Sequence, residues 1–366
     1  MTEREQQILS LIQADPLLSQ LEIAKAIGIS RSAVAGHIMN LTAKGAIKGR
    51  GYLFSNAPFI AVVGGANIDI HGSPLKKLRM NDSNPGTVSM SPGGVARNIA
   101  ENLARLGADS RLVAAIGEDQ YGQLLLQLGR DAGIDMRHVT KYEAVPTSTY
   151  LSVLDSSGDM HVGVSDMTIM DAFGPYQLRK HESLFKQAAL IIADTNLADS
   201  ALAWLLDSFA DATLFVDTVS TTKALKIAPY LHAVHTLKPG LAEAEAIAGI
   251  KAKTVRQLPR LADWFHNKGV QRIFISLGDK GVFYSADDVQ GLAKLPSGKR
   301  QLKNAGGAGD AFLAGLAYSW IEEWSLEKSV QFGLAAASIT MSHEMTNNPN
   351  LSLAAVNRII ENQRVE

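Results

Sequence analysis

Two different hydrophobic patterns divide the chain. In residues 1–56, apolar residues recur at helical spacing, for example Ile8, Leu9 and Ile12, which predicts small amphipathic helices. In residues 57–366, short apolar runs that predict buried strands alternate with amphipathic helical segments. We therefore predict two domains with these bounds.

The sequence of the first domain predicts two further helices joined by a tight turn. Gly28 ends one of them, and Ser30 can cap the next, in which Val34 and Ile38 face inward. Two helices with a short glycine-containing turn between them are the helix-turn-helix pattern. Because the basic segment 44–54 follows as a candidate hairpin, this domain resembles the winged helix-turn-helix domains of bacterial transcription regulators.

The first domain is therefore a candidate for binding duplex DNA. The residues expected at the major groove are Ser30, Arg31, Ser32 and His37, and those expected on phosphates are Lys44, Lys48 and Arg50. The domain carries six Lys or Arg and four Asp or Glu, a net charge of +2, against −3 for the remainder. This bias is weak, so a helical module for protein interaction or dimerisation is the alternative. We expect the whole protein to be a homodimer.

The second domain alternates strands and helices along its length. Apolar runs such as 59–65, 190–194 and 272–278 predict strands, and segments such as 96–107 and 258–269 predict the helices between them. This alternation predicts a three-layer α/β fold with a mostly parallel sheet, in which ligands bind beyond the carboxyl ends of the strands. A second group of short β-like runs predicts a small lid: residues 87–91, 147–155 and 160–164.

Composition narrows the chemistry further. The chain has 366 residues, 46% of them hydrophobic, and its 35 Lys and Arg nearly balance its 36 Asp and Glu. A net charge of −1 argues against a protein that binds nucleic acid or membranes over its whole surface. The absence of cysteine excludes disulfides and thiolate chemistry. No apolar run approaches the roughly 18 residues of a membrane span, and the charged N-terminus lacks a signal-peptide core, so we expect a cytoplasmic protein.

A glycine-rich segment precedes an apolar helix near the C-terminal end. Gly306, Gly307 and Gly309 surround Ala308 just before Asp310. Glycine N–H groups can turn toward one anion, and a helix N-terminus adds a partial positive charge. Asp310 could then take a proton from a substrate hydroxyl while the N–H groups stabilise a transferring phosphoryl group. The alternative is a glycine-rich turn whose aspartate only begins a helix.

Four separated motifs occur in the order of one enzyme family. They are GGANIDI (64–70), SPGGVARNIAENLARLG (91–107), AAIGEDQYG (114–122) and AGGAGDAFLAGL (305–316). The second domain thus resembles the ribokinase-like (PfkB) carbohydrate kinases. Within them it is similar to the pseudouridine kinases in the stretches DSNPG (82–86), SPGGVARNIA (91–100), TSTYLSVLDSSGDM (147–160), FVDTVS (215–220), HTLKPGLAEAE (235–245) and TNNPNLS (346–352). The resemblance implies ATP-dependent phosphorylation of the 5′-hydroxyl of a ribose-bearing nucleoside, and pseudouridine is the substrate it favours. Other sugar or purine-nucleoside kinases, and a nucleoside-sensing DNA-binding regulator with weak kinase activity, are the alternatives.

The resemblance also implies a role for each matched residue. It makes Asp310 the general base and assigns the anion hole to Gly307, Ala308 and Gly309. The residues implied to hold the substrate are Asn67, Asp69, Gly93, Gly94 and Asn98, with Ser148, Thr149 and Asp166 contributed by the lid. The residues implied to bind ATP are Lys238, Glu243, Ser276, Gly278 and Gly281, with Glu243 organising Mg²⁺ through water. Without the resemblance, the alternative interpretation of Asn67 and Asp69 is a polar turn after a strand, and that of Ser276 is a cap at the end of a strand.

Two positions depart from the family pattern. Gly240 stands two residues after Lys238, where the family usually has asparagine, which predicts a weaker Mg²⁺–phosphate network. Asn304 stands six residues before Asp310, where relatives that bind a monovalent cation often have aspartate. Activation by K⁺ is therefore left open.

Overall fold

The structure, a computed structural model, describes residues 2–14, 18–44, 46–47, 58–155, 160–286, 289–296, 304 and 306–363. The chain divides into two compact units, Met1–Ala57 and Pro58–Glu366. Within these described ranges, every helix is too short or too polar to cross a lipid bilayer. The two units are taken in turn below.

The helices of the first unit are α1 (Glu3–Ala14), α2 (Gln20–Ile27) and α3 (Arg31–Ala43). Ser19 and Glu22 form a capping box at the start of α2. Gly28 ends that helix in the left-handed region, with φ of 68°. Ala33 N–H donates to Ser30 Oγ over 3.1 Å at the start of α3. The predicted helices and their turn are confirmed.

A single small core holds the first unit together. Ile8, Ile23, Val34 and Leu41 are buried in it, one or two from each helix. Of the candidate hairpin at 44–54, the structure describes residues 44, 46 and 47 alone, so Lys48 and Arg50 lie outside the described residues.

The second unit contains two larger sheets and their helices. The strands are β1 (Phe59–Val63), β2 (Asn67–Pro74), β3 (Gly86–Gly93), β4 (Asp109–Val113), β5 (Ala115–Gly117), β6 (Thr140–Tyr142), β7 (Thr149–Leu154), β8 (Met160–Asp166), β9 (Leu190–Asp194), β10 (Leu214–Asp217), β11 (Thr236–Lys238), β12 (Arg272–Ser276), β13 (Val282–Ala286) and β14 (Val289–Ala293). The α-helices are α4 (Val95–Leu106), α5 (Gln120–Asp131), α6 (Ile169–Ala172), α7 (Pro175–Arg179), α8 (Glu182–Gln187), α9 (Asp199–Ser208), α10 (Thr221–Ala224), α11 (Leu241–Ala248), α12 (Leu258–His266), α13 (Ala308–Ile321), α14 (Leu326–Met341) and α15 (Leu353–Gln363). Short 3-10 helices cover Leu225–Ala233, Val255–Gln257 and Gly278–Lys280.

The main sheet has the order β14-β13-β12-β11-β10-β9-β1-β4, in which β13 pairs antiparallel with both β12 and β14 and all other neighbours pair parallel. Side chains alternate between the two faces of a strand. In β1, Phe59, Ala61 and Val63 enter one hydrophobic cluster, whereas Ile60 and Val62 enter another. The sheet is therefore covered on both faces, and the predicted three-layer α/β fold is confirmed.

The lid is a second sheet with the order β3-β2-β7-β8. The sequence patterns predicted β3, β7 and β8, whereas β2 extends four residues beyond the motif at 64–70 that marked its start. The register gives the lid an apolar face, on which Ile70, Met90, Leu151 and Val164 lie side by side. The opposite, polar face carries Asp69, Ser91, Tyr150 and Ser165.

Candidate active site

The glycine-rich segment lies beside the carboxyl ends of two central strands. Asp217 ends β10 and Lys238 ends β11, and both line one cavity together with Gly309 and Asp310. The volume of this cavity is about 610 Å³. Polar side chains thus gather where an open parallel sheet binds its ligands.

Close packing explains the glycines at the start of α13. Gly307 has φ of 75°, and a Cβ placed there would lie 2.1 Å from the carbonyl oxygen of Thr346. A Cβ at Gly309 would lie 2.7 Å from Nζ of Lys238. The first N–H groups of a helix have no partner within the helix. This one therefore begins with free donors next to an ammonium group, which is a favourable place for a phosphate.

Asp310 is buried among charges of both signs. Asn98 Nδ2 donates to Asp310 Oδ2 over 2.9 Å. Burial, together with the carboxylate of Asp217, raises the pKa of Asp310 to about 7, although Lys238 and the Asn98 hydrogen bond lower it. A base works best when its pKa lies near the operating pH. The environment therefore suits Asp310 for taking a proton near neutrality.

Lys238 is held in the cavity wall by Asp217, with 2.8 Å between Nζ and Oδ2. Burial alone would lower the pKa of Lys238, but the carboxylates of Asp217 and Asp310 outweigh it and hold that pKa above its usual value. Lys238 is therefore cationic at neutral pH. Asp217 Oδ1 also accepts from the N–H of Val219, whose φ is 59°. A β-branched residue in this region stores strain of about 1–3 kcal/mol.

Four of the residues predicted to hold the substrate sugar, Asn67, Asp69, Gly93 and Gly94, form one cluster. Asn67 Nδ2 donates to Asp69 Oδ1 over 2.6 Å, and burial raises the pKa of Asp69. A Cβ at Gly93 would lie 2.3 Å from Asp69 Oδ2, and one at Gly94 would lie 2.4 Å from the carbonyl oxygen of Gly65. Gly93 therefore allows β3 to end directly against the carboxylate, and Gly94 allows the chain before α4 to run against the turn after β1.

Asp194 is a buried residue of this region that sequence reasoning did not single out. It ends β9, and its Oδ2 accepts from Gly65 N–H over 3.0 Å and from Ala96 N–H over 2.8 Å. Asp194 thus ties the turn after β1 to the first turn of α4. An aspartate at the end of an apolar run was the available signal.

The register separates two predicted lid residues from this cluster. Thr149 pairs with Ile68 and with Asp166, whereas Asp69 pairs with Tyr150. Because neighbouring residues of a strand point to opposite faces, Thr149 and Asp166 lie on the apolar face of the lid, away from Asp69. Asp166 instead accepts from the N–H and Oγ1 of Thr168, over 3.1 and 2.8 Å.

Other lid residues lie on the side of Asp69. His71 is two residues further along β2, and its Nδ1 is 2.6 Å from Ser152 Oγ. Ser148 is buried, and its Oγ has no hydrogen-bond partner among the described residues. The β2–β7 register that brings His71 to Ser152 could not be read from either run of sequence alone.

The other predicted ATP-binding residues line the same cavity as Lys238 and Asp310. Glu243 accepts from Gly240 N–H over 2.8 Å and from Thr218 Oγ1. Gly281 has φ of 96°, and a Cβ there would lie 2.1 Å from the carbonyl oxygen of Ala293. The apolar part of the wall includes Val282, Leu295, Phe312, Leu334, Ala337 and Met341. One side of the cavity is therefore charged and another apolar, which suits a nucleotide with its phosphates and base.

The donor set fits Mg²⁺ bound together with a nucleotide. Within the described ranges, no group of three or more His, Cys, Asp or Glu could hold a metal. Mg²⁺ commonly keeps several waters and binds through one or two carboxylates and the phosphates of a substrate. Glu243, which lines the cavity, would hold the ion through water, and the ion would neutralise phosphate charge.

Asn304 ties down the loop before the anion hole. Its Oδ1 accepts from Gly306 N–H over 2.7 Å, and its Nδ2 donates to the carbonyl oxygen of Glu344 over 2.9 Å. Both ends of this amide are thus engaged by backbone groups.

The first unit presents a different candidate surface. Arg31 and Ser32 are exposed on α3, as predicted, but His37 is half-buried. It follows buried Val34 by three residues, so it lies at the border of the apolar stripe. Lys44 Nζ lies 2.7 and 2.8 Å from the two carboxylate oxygens of Glu5, which is buried. The expected contact of Lys44 with phosphate stays a prediction, in which a phosphate would compete with Glu5 for the ammonium group.

Comparison with known proteins adds three kinds of similarity. The profile of the pfkB family carbohydrate kinases matches residues 57–353, and that of winged helix-turn-helix DNA-binding domains matches residues 1–48. The pseudouridine kinase of Escherichia coli (strain K12) is 41% identical over 308 residues, which are 83% of this chain and 97% of that protein.

Two further similarities extend this result. The uncharacterized sugar kinase YeiI of the same strain is 38% identical over 353 residues, which cover 96% of this chain and 97% of that protein, so the alignment includes both units. A solved structure of a putative sugar kinase from Clostridium perfringens has a TM-score of 0.75 and 31% identity. It covers 84% of this chain and 96% of its own.

Proposed function

Because this chain belongs to the pfkB family of carbohydrate kinases, we propose that it transfers the γ-phosphoryl group of ATP to the 5′-hydroxyl of pseudouridine. Membership of the family makes the chain a sugar or nucleoside kinase, an enzyme that phosphorylates a hydroxyl group. The observation that carries the proposal is Asp310, a buried carboxylate with a pKa of about 7 at the mouth of a glycine-rich helix N-terminus.

The proposed reaction is a single in-line displacement. Asp310 takes the proton of the 5′-hydroxyl as its oxygen forms a bond to the γ-phosphorus. The bond from that phosphorus to the β–γ bridging oxygen breaks, and ADP leaves. The N–H groups of Gly307, Ala308 and Gly309 stabilise the charge on the transferring group, and Lys238 balances phosphate charge.

The sugar is held by Asn67, Asp69, Gly93, Gly94 and Asn98. A carboxylate accepts hydrogen bonds from two neighbouring hydroxyls, which suits the 2′- and 3′-hydroxyls of ribose. The Asn98 side chain has two N–H groups, of which one binds Asp310 and the other is available to the sugar.

A nucleoside is favoured over a free sugar by the length of the polar lid face. Residues on one face of a strand are spaced about 6.6 Å apart, so His71 lies that far beyond Asp69 along β2. A base attached to a ribose bound at Asp69 reaches this distance. The hydrogen-bonded pair of His71 and Ser152 then supplies the base with a polar partner. Pseudouridine in particular is supported by the 41% identical relative.

A coupled ADP-release assay against a panel of pseudouridine, uridine, inosine and ribose tests the proposal. We expect the highest kcat/KM with pseudouridine. We also expect turnover to depend on Mg²⁺. Residues 57–366 alone should show the same preference, because we propose that the kinase domain begins at residue 57 and every residue named above follows it. Preference for free ribose, or no turnover with any member of the panel, would contradict the assignment.

We also propose that residues 1–56 bind duplex DNA, so that one chain combines a kinase with a DNA-binding domain. The profile match to residues 1–48 and the exposed Arg31 and Ser32 at the start of α3 support this. Two DNA-binding domains on two half-sites require a dimer.

A homodimer is supported by the apolar lid face, where Val88, Met90 and Val164 are each more than half exposed.

The expected result for DNA is binding by a dimer with affinity that falls steeply with salt. Each phosphate contact adds nearly one unit to the log–log slope of affinity against salt. Arg31→Ala should weaken a selected sequence more than random DNA, because the start of a recognition helix reaches base edges. Lys48→Ala should weaken both alike. Selection from random duplexes, titration at two salt concentrations and light scattering measure these effects. No binding at low salt would leave the first unit as an interaction module.

A further inference from the structure

Arg97 is a fully buried charged side chain immediately behind the candidate active site. It lies in the first turns of α4, next to Asn98, and its exposed fraction is 1%. Its Nη1 donates to Asn98 Oδ1 over 3.3 Å and to Asn347 Oδ1 over 3.2 Å. Its other terminal nitrogen, Nη2, forms an ion pair with Glu101. The guanidinium therefore joins the amide that binds Asp310 to a buried carboxylate.

The chemistry of these groups fixes which end of the Asn98 amide faces Asp310. A guanidinium has donors only, so the group that faces it must accept. Asn98 accordingly turns its oxygen toward Arg97 and its NH₂ toward the Asp310 carboxylate. If the amide rotated by half a turn, two oxygens would face each other at Asp310, and the NH₂ would face the donors of Arg97.

We propose that Arg97 is a positioning residue for phosphoryl transfer, which acts by holding Asn98 with its NH₂ group toward Asp310. The proposal rests on the proposed role of Asp310 as general base. Asn98 has a second attachment, because Asn347 Nδ2 donates to its carbonyl oxygen over 3.0 Å. Arg97, Asn98 and Asn347 thus form one network that fixes both the backbone and the side chain of Asn98.

Glu101 holds Arg97 in this network and is itself fixed from the other side. Arg105 Nε donates to Glu101 Oε1 over 2.7 Å, and Arg105 Nη1 donates to the carbonyl oxygen of Pro349. Burial lowers the pKa of Arg97, and the ion pair with Glu101 opposes that effect. A buried ion pair adds little net stability over apolar residues of similar size. A role in orienting the neighbouring amide accounts for a charge at this position.

Loss of Arg97 is expected to change one of the several interactions that set the pKa of Asp310, the hydrogen bond from Asn98. Burial, followed by Asp217 on β10 and Asp194 on β9, raises its pKa, whereas Lys238 on β11 and the hydrogen bond from Asn98 on α4 lower it. Of these contributions, only that of Asn98 depends on Arg97. Loss of one hydrogen bond to a carboxylate raises its pKa by about one unit.

The test is the pH dependence of kcat/KM for Arg97→Lys, measured from pH 5.5 to 9.5 with pseudouridine and saturating MgATP. Lysine keeps the charge opposite Glu101 but lacks the fork that reaches Asn98 and Asn347 together. A base must be ionised to act, so activity falls as the pH drops below its pKa. We expect the acid limb to move upward by about one pH unit. Activity should then be reduced several-fold near pH 7 and approach that of the wild type near pH 9.

Arg111→Lys is the matched control, because Arg111 pairs with Asp109 on β4 and contacts neither Glu101 nor Asn98. Its acid limb should coincide with that of the wild type. If Arg97→Lys does not fold, Asn347→Ala replaces it, since that variant keeps the pair of Arg97 with Glu101 and removes a support of Asn98. A folded Arg97→Lys or Asn347→Ala enzyme with an unchanged acid limb would overturn the proposal. A wild-type enzyme that lacks an acid limb, or that keeps its activity as Asp310→Asn, would instead overturn the role of Asp310.

Discussion

Asp310→Asn is expected to lower phosphoryl transfer by about 10²–10⁴-fold, the usual loss when a general base is removed, while nucleoside binding is retained. Asparagine has nearly the same shape, so the cavity keeps its form, but its amide cannot take the proton of the attacking hydroxyl. Asn67 and Asp69, which hold the sugar in the proposed complex, are unchanged. Turnover in the coupled assay and nucleoside affinity by calorimetry measure the two effects separately.

The stability of Asp310→Asn distinguishes loss of chemistry from loss of fold. The pKa of Asp310 in the folded chain is raised from its usual value to about 7. A carboxyl with a raised pKa destabilises the folded state increasingly as the pH rises through the range between the unfolded and folded pKa values. Removing that charge should therefore leave the thermal unfolding temperature at pH 8 at least as high as that of the wild type.

Asp166→Asn provides a matched carboxylate control on the lid. Asp166 lies on the face opposite Asp69 and accepts hydrogen bonds from Thr168. We expect its kcat/KM to stay within about two-fold of the wild type, because surface substitutions of this kind have small effects. Wild-type-like turnover by Asp310→Asn would remove the general base from the mechanism, whatever the control shows.

Sequence patterns predicted the parts of the site that depend on local geometry. The glycines around Ala308 and the pair Gly93–Gly94 were visible because backbone turns near a ligand require small residues. Strand ends were visible because apolar runs stop at polar residues. The confirmed three-layer fold follows from this alternation, which needs no knowledge of contacts between distant segments.

What the sequence did not reveal depends on contacts between distant segments. Arg97 sits in an amphipathic helix, where a charged residue predicts exposure, yet it is buried because Glu101 and Asn347 receive its donors. The face of Thr149 depends on its register with β2, which a one-residue shift would reverse. The positive φ of Val219 has no signal in the sequence, since valine is the residue least expected there.

Gly307→Ala is expected to reduce kcat by about 10²–10³-fold, the loss that follows removal of one anion-hole donor. The added Cβ would lie 2.1 Å from the carbonyl oxygen of Thr346, which is backbone and cannot rotate away. The start of α13 must therefore shift, and with it the N–H groups and Asp310. The measurement is kcat for the variant together with its affinity for ATP.

Gly249→Ala separates this effect from the general cost of an alanine at positive φ. Gly249 ends α11 with φ of 66°, close to the 75° of Gly307, but a Cβ there meets nothing within 4 Å. In each variant the left-handed conformation of an alanine lowers the free energy of unfolding by about 1–2 kcal/mol. Only Gly307→Ala also displaces backbone at the cavity. Equal destabilisation with full activity in both variants would show that the N–H groups of this turn do not act on the phosphoryl group. Loss of activity in Gly307→Ala alone would show that phosphoryl transfer depends on the backbone position of the start of α13, which carries both these N–H groups and Asp310.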